Sequence, residues 1–211
     1  MFADQTWLAR MIWIALAIVT LEALIFGPWS LAFVAFATLV LSLAPVLVAR
    51  WADVIVPPSF IAAIVLFVGG TVFLGEVYNF YERYWWWDTM MHGGSAIGFG
   101  LIGFILVFMM FQGDRFAAPP LAMAFFAFCF ALSIGTMWEV FEFVMDQSFG
   151  LNMQKSGLTD TMGDLIVDAV GALIGAGAGY GYLKGRAHGG LSSLLDEFVR
   201  KNPRLFQRLR K

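Results

Sequence analysis

Six stretches of the chain run almost free of charge for long enough to cross a bilayer: 7–27, 29–49, 58–78, 88–111, 119–146 and 160–183. About 20 apolar residues in a helix span the roughly 30 Å hydrocarbon layer. The pattern therefore predicts an all-α, polytopic membrane bundle of about six transmembrane helices within 1–186. The runs are continuous and do not alternate, which argues against a transmembrane β-barrel. The first run, with Arg10 ahead of it, resembles a secretory signal. Glu22 interrupts its far end and no small-residue cleavage site follows, so it is expected to stay as a span. Beyond the last span, 187–211 changes character. Leu191, Leu194, Leu195 and Phe198 recur on one face of a short helix, and Arg200, Lys201, Arg204, Arg208, Arg210 and Lys211 follow. This is the pattern of a basic amphipathic cytoplasmic tail lying on anionic lipid. Nucleic acid is not expected as a partner for charges beside a bilayer.

Composition supports this reading. Of 211 residues, 60% are hydrophobic and 13% charged, about half the charge of a typical soluble domain. The net charge of −2 is uninformative because the charges are segregated. With six spans both termini share one side. Arg10, Arg50, Arg115 and the eight basic residues after the last span fall there, eleven of thirteen, leaving Arg83 and Lys155 opposite. The positive-inside rule then places both termini in the cytoplasm of a bacterial-type inner membrane. Ten of the fifteen acidic residues fall on the other, outer side. The lone Cys129 excludes a Cys-based zinc site and fits a small packing residue.

Three pairs of ionisable residues sit at the outer ends of spans: Asp88/His92, Glu139/Glu142 and Asp164/Asp168. Each pair is three or four residues apart, hence on one helix face. A charge in hydrocarbon costs roughly 2.5–3.5 kcal/mol on insertion scales, so these groups are expected to face one another, water or a cation. Simpler readings compete. Asp88 and Asp160, each just before an apolar run, suit helix N-caps. Glu139 and Glu142 could reach the headgroups, although Trp138, Phe141 and Phe143 beside them argue for burial. Thr136 and Asp146 continue the glutamate stripe. Glu22 and Glu76, near the outer ends of the first and third spans, could complete the site or form another. Gly93, Gly94 and Gly98, with the run Gly171, Gly175, Gly177, Gly179 and Gly181, predict close helix approach. Tyr78–Trp87 reads as an interfacial aromatic belt, and the loop 147–159 as a cover for the site.

Five carboxylates and one imidazole without sulfur suit Mg²⁺, Mn²⁺, Ca²⁺, Zn²⁺ or iron. The paired Glu-x-x-His pattern of di-iron bundles is absent. The expected ligands are Glu139, Glu142, Asp164, Asp168 and His92. Asp88 orients His92 for proton transfer, with Glu76, Asp160, Thr136 and Glu22 behind them. Trp87-Asp88-x-x-x-His92, Glu139-x-x-Glu142 and Thr161-x-Gly163-Asp164-x-x-x-Asp168-x-x-Gly171 resemble the YjdF-type inner-membrane family and, more loosely, the VanZ-like membrane proteins. The likeness covers 70–180 and implies a compact multi-span bundle with an acidic pocket; it implies no particular reaction. Three functions fit: a metal-dependent hydrolase or transferase on a lipid or lipid-linked substrate, a non-catalytic metal-binding or scaffold protein, and a proton- or cation-coupled transporter. Polar groups thin out towards the cytoplasmic ends of the fourth and sixth spans, which disfavours the transporter.

Overall fold

The computed structural model describes residues 4–111, 118–185 and 189–206. Helices account for the six apolar runs: α1 (Trp7–Phe26), α2 (Trp29–Trp51), α3 (Pro58–Val68, continued by a π-helix over Gly69–Val77), α5 (Trp87–Phe111), α6 (Pro120–Phe149) and α7 (Leu158–Leu183). A short α4 (Phe80–Arg83) precedes α5, and α8 (Leu191–Lys201) follows α7. All six long helices are long and apolar enough to cross a membrane. Among the described residues there are no strands.

The chain divides into two compact units, Met1–Trp87 and Asp88–Lys211. The first is held by small residues and hydroxyls. Ala9, Trp13, Val46, Ile61 and Val65 form its core, while Ala23, Ala32, Ala35 and Thr38 are also buried. Each buried hydroxyl is satisfied on its own helix. Thr20 donates to Leu16 O at 2.7 Å, Thr38 to Val34 O at 2.7 Å and Ser42 to Leu39 O at 2.9 Å. Ser42 Oγ in turn accepts the Trp13 indole N–H at 3.1 Å, tying α2 to α1.

The third span differs from the uninterrupted helix that its hydropathy predicts. Past Gly69-Gly70 the hydrogen-bond register widens to the π form and Thr71 Oγ1 turns onto Phe67 O at 3.0 Å. Such segments are rare and collect at functional sites. The aromatic belt that follows is a chain of edge-to-face and tilted rings from Phe73 through Tyr78, Phe80 and Tyr84 to Trp86 and Trp87. Trp85 projects outward while Trp87 is buried.

In the second unit, glycines let α5 and α7 meet backbone to backbone. A methyl on Gly171 would strike Gly93 O, and one on Gly175 would strike Ile97 O and Gly100 Cα. Gly94, Gly98 and Gly177, expected to serve the same purpose, face open space, and Gly179 instead accommodates the Phe104 ring. The tail also departs from expectation. Leu195 and Phe198 are buried and α8 packs on α7. Phe206 packs tilted against Phe108 at 5.5 Å and edge-to-face against Phe198 at 6.2 Å, so protein covers this apolar face at Leu195 and Phe198. Its charges are partly neutralised within the helix, Arg200 by Asp196 at 3.2 Å and Lys201 by Glu197 at 2.7 Å. Arg115, His188, Arg208, Arg210 and Lys211 lie outside the described residues.

Candidate metal centre

Residues one turn apart on α5, α6 and α7 project from one face of each helix. Close approach of the helices through Gly171 and Gly175 turns those faces together. The result buries His92, Glu139, Asp164 and Asp168, at 7%, 3%, 5% and 1% exposure. The imidazole is the hub. His92 Nδ1 lies 3.3 Å from Asp168 Oδ2, and Nε2 lies 3.6 Å from Glu139 Oε1 and 3.9 Å from Asp88 Oδ1. Single donor atoms of His92, Glu139 and Asp164 all lie within 4.8 Å of one another. A second such group, Asp88, Asp160 and Asp164, shares one member with the first and is less buried.

Hydrogen bonding does not satisfy this cluster. Both carboxylate oxygens of Glu139 and Oδ1 of Asp168 are buried without a hydrogen-bond partner of good geometry. A buried carboxylate left unpaired costs several kcal/mol, in contrast to the hydroxyls of the first unit. One imidazole among Asp88, Glu139, Asp164 and Asp168 supplies at most one positive charge, so the set has capacity for a cation.

Neighbouring residues define the edge of the site. Gly150, with φ of 65°, ends α6, three residues later than the hydropathy predicts. Asp146, read from sequence as part of the stripe, accepts bonds from Met153 N at 2.8 Å and Gln154 N at 2.9 Å. Gln154 Nε2 reaches Thr161 Oγ1 at 2.6 Å. The middle of the connecting loop is thereby tied to both helices, and it brings Lys155 Nζ to 3.8 Å from Asp88 Oδ2.

Several expectations need correction. The N-cap position of α7 is Gly157, with no side-chain cap, so Asp160 stands in the first turn and not at the cap. Asp88 is likewise inside α5. Asp168, expected as a ligand, has Oδ2 3.3 Å from His92 Nδ1, while Asp88, expected to orient His92, has Oδ1 3.9 Å from Nε2. Glu142 is buried but belongs to neither donor group; its Oε1 accepts the Trp138 indole N–H at 2.8 Å. Trp138, Phe141 and Phe143 are themselves exposed, so their burial is no explanation for that of the glutamates. Thr136 is exposed and donates to Leu132 O. Glu22 and Glu76 are exposed residues of the first unit. The sequence reading overlooked Lys155, the Trp138 indole and Gly135, where any side chain would overlap the Asp168 carboxylate. A glycine beside Thr136 in a helix otherwise rich in large residues was the available signal.

The family described as a predicted membrane protein, DUF2238, matches residues 7–185, all six long helices. The chain belongs to this family. The YjdF-type likeness is consistent with DUF2238 membership. An uncharacterized protein of Thermotoga maritima is 31% identical over 110 residues, covering 50% of this DUF2238 chain and 56% of that relative, so the match spans about half the relative's length. No solved structure matches the chain.

Proposed function

We propose that this DUF2238 protein holds a divalent metal ion between His92, Glu139 and Asp164 and acts as a metal-dependent hydrolase or transferase on a lipid or lipid-linked substrate. The observation that carries the proposal is Glu139, a buried carboxylate whose two oxygens lack a hydrogen bond of good geometry, in mutual reach of a nitrogen of His92 and an oxygen of Asp164. Ligands held at about 2.1 Å from an ion stand roughly 3–4 Å apart, so modest side-chain rotations close the set.

The group behind His92 supports this reading. Asp168 Oδ2 accepts the Nδ1–H of His92, which leaves the Nε2 lone pair on the Glu139 side, the carboxylate–histidine arrangement that orients metal-binding imidazoles. A mixed imidazole and carboxylate set suits Zn²⁺, Mn²⁺ or iron better than Ca²⁺ or Mg²⁺. Held by His92, Glu139 and Asp164, such an ion would supply Lewis acidity toward a phosphoryl or carbonyl oxygen and toward a water. Asp88, half-buried at the edge of the set, is placed to take up the proton.

The membrane location supports a substrate that arrives from lipid, with both chain termini on the cytoplasmic side. A transmembrane ion path finds less support. Further along α5 and α7, the Phe104, Phe108 and Tyr182 rings fill the interior, with Phe104 and Phe108 stacked at 5.6 Å.

The test is turnover of phospholipid and lipid-phosphate substrates by detergent-purified protein. Activity should disappear with chelator, return on adding Zn²⁺ or Mn²⁺, and be absent in Glu139→Gln. Turnover that persists through chelation contradicts the proposal.

A further inference from the structure

The first unit carries a separate feature, independent of the metal centre. A groove of about 280 Å³ opens beside Glu22, Phe26, Leu31, Phe73, Val77 and Tyr78. Glu22 stands in the last turn of α1, where the helix dipole disfavours a carboxylate. Among the described residues it has neither an ion pair nor a hydrogen bond. No basic residue lines the groove. At the end of a spanning helix an exposed ionisable group reaches the headgroup layer, so lipid headgroups are the partners within its range.

The opposite wall shows what kind of partner fits. Phe73 and Tyr78 are five residues apart, and the π-helical register brings their rings to 5.8 Å in an edge-to-face contact. A regular α-helix brings together residues three and four apart instead, so the π segment is what assembles this aromatic wall. A carboxylate facing aromatic rings makes a site for an organic cation, bound by charge-assisted hydrogen bonds and cation–π attraction. Next to the groove, Leu21, Leu24, Ile25 and Phe26 of α1 are exposed and offer an apolar bed for acyl chains.

We infer that the groove between α1 and the π-helix binds the ammonium headgroup of a phospholipid of the phosphatidylethanolamine type, with Glu22 accepting from the ammonium and Phe73 and Tyr78 forming its aromatic wall. The primary ammonium is favoured because it donates hydrogen bonds to the carboxylate. Length and apolarity confine the site to the lipid level, where a soluble amine would be scarce.

The experiment is native mass spectrometry of the full-length detergent-purified protein, titrated with phosphatidylethanolamine or phosphatidylglycerol of identical acyl chains. The wild type should retain phosphatidylethanolamine about tenfold more strongly, the scale of one charge-assisted bond. Glu22→Gln should bring it down to the phosphatidylglycerol level, while phosphatidylglycerol binding itself, unchanged, reports that the variant is folded. Phe73→Leu should weaken the preference about threefold, and Glu82→Gln, outside the groove, should leave it intact. Equal binding of the two lipids by wild type, or an undiminished preference in Glu22→Gln, overturns the inference.

Discussion

The two units are built from similar apolar helices, yet they handle buried polarity in opposite ways. Among the described residues of Met1–Trp87 the buried hydroxyls are Thr20, Thr38 and Ser42, and each returns to a carbonyl three or four residues back; the buried atoms left without a hydrogen bond there, Gln5 Oε1 and Trp87 Nε1, carry no charge. Such hydroxyls are satisfied wherever the helix goes. In Asp88–Lys211 the buried membrane-level groups are His92, Glu139, Glu142, Asp164 and Asp168. Carboxylates lack a donor to give to their own helix and depend on partners from other helices. The first pattern is tolerated chemistry; the second is costly unless it does something. The contrast between local and non-local satisfaction is therefore what supports placing the proposed metal site in the second unit.

Substitutions can break that contrast, beginning with the ligands. His92→Ala or Glu139→Gln should lower metal affinity by at least about 100-fold, more than the loss of an outer partner, as read by competition with a chromogenic chelator. Helical content should be retained in Glu139→Gln, which removes a buried charge together with its desolvation cost, and lower stability is expected in His92→Ala, which leaves Asp168 and Glu139 without their imidazole partner. Asp168→Asn and Gly135→Ala come next, at about 10–100-fold each, because one replaces the charged acceptor at Nδ1 with a neutral amide and the other displaces it. If Gly135→Ala binds metal as tightly as wild type, Asp168 is not positioned as described. Glu142→Gln should cost only a few-fold, because Gln keeps an acceptor for the Trp138 indole, worth about 1 kcal/mol. In the first unit Ser42→Ala strands the buried Trp13 N–H and should cost about 1–3 kcal/mol in a reversible unfolding titration. Its metal affinity should equal that of wild type.

Hydropathy made the helices legible because insertion into lipid depends on length and apolarity, and both are local. It missed the π-helix at Gly69–Val77, because a change of hydrogen-bond register leaves hydropathy untouched. It stopped α6 too early, because Asp146 looks like an exit from the membrane when its carboxylate in fact caps the following loop. The ionisable residues were visible as pairs on helix faces. Their partners were not, because the rotation of α5 against α7 is set by which glycines make contact. Gly171 and Gly175 make close backbone contact while Gly94, Gly98 and Gly177 face open space, although all look alike in sequence. The same rotation gives Nδ1 of His92 to Asp168 and moves Asp88 to the edge. The tail's amphipathic pattern was legible, but the protein surface that covers part of it was not. Leu195 and Phe198 needed an apolar surface, and α7 with Phe206 supplied one.

The central claim is that His92, Glu139 and Asp164 form one cation site. X-ray absorption of the detergent-purified protein reloaded with one equivalent of Zn²⁺ tests it most directly. The account predicts one tightly held ion per chain, with a single imidazole nitrogen and the remaining donors oxygen, and loss of the imidazole signal in His92→Ala. Failure to retain stoichiometric metal, or an unchanged coordination shell in that variant, would contradict it.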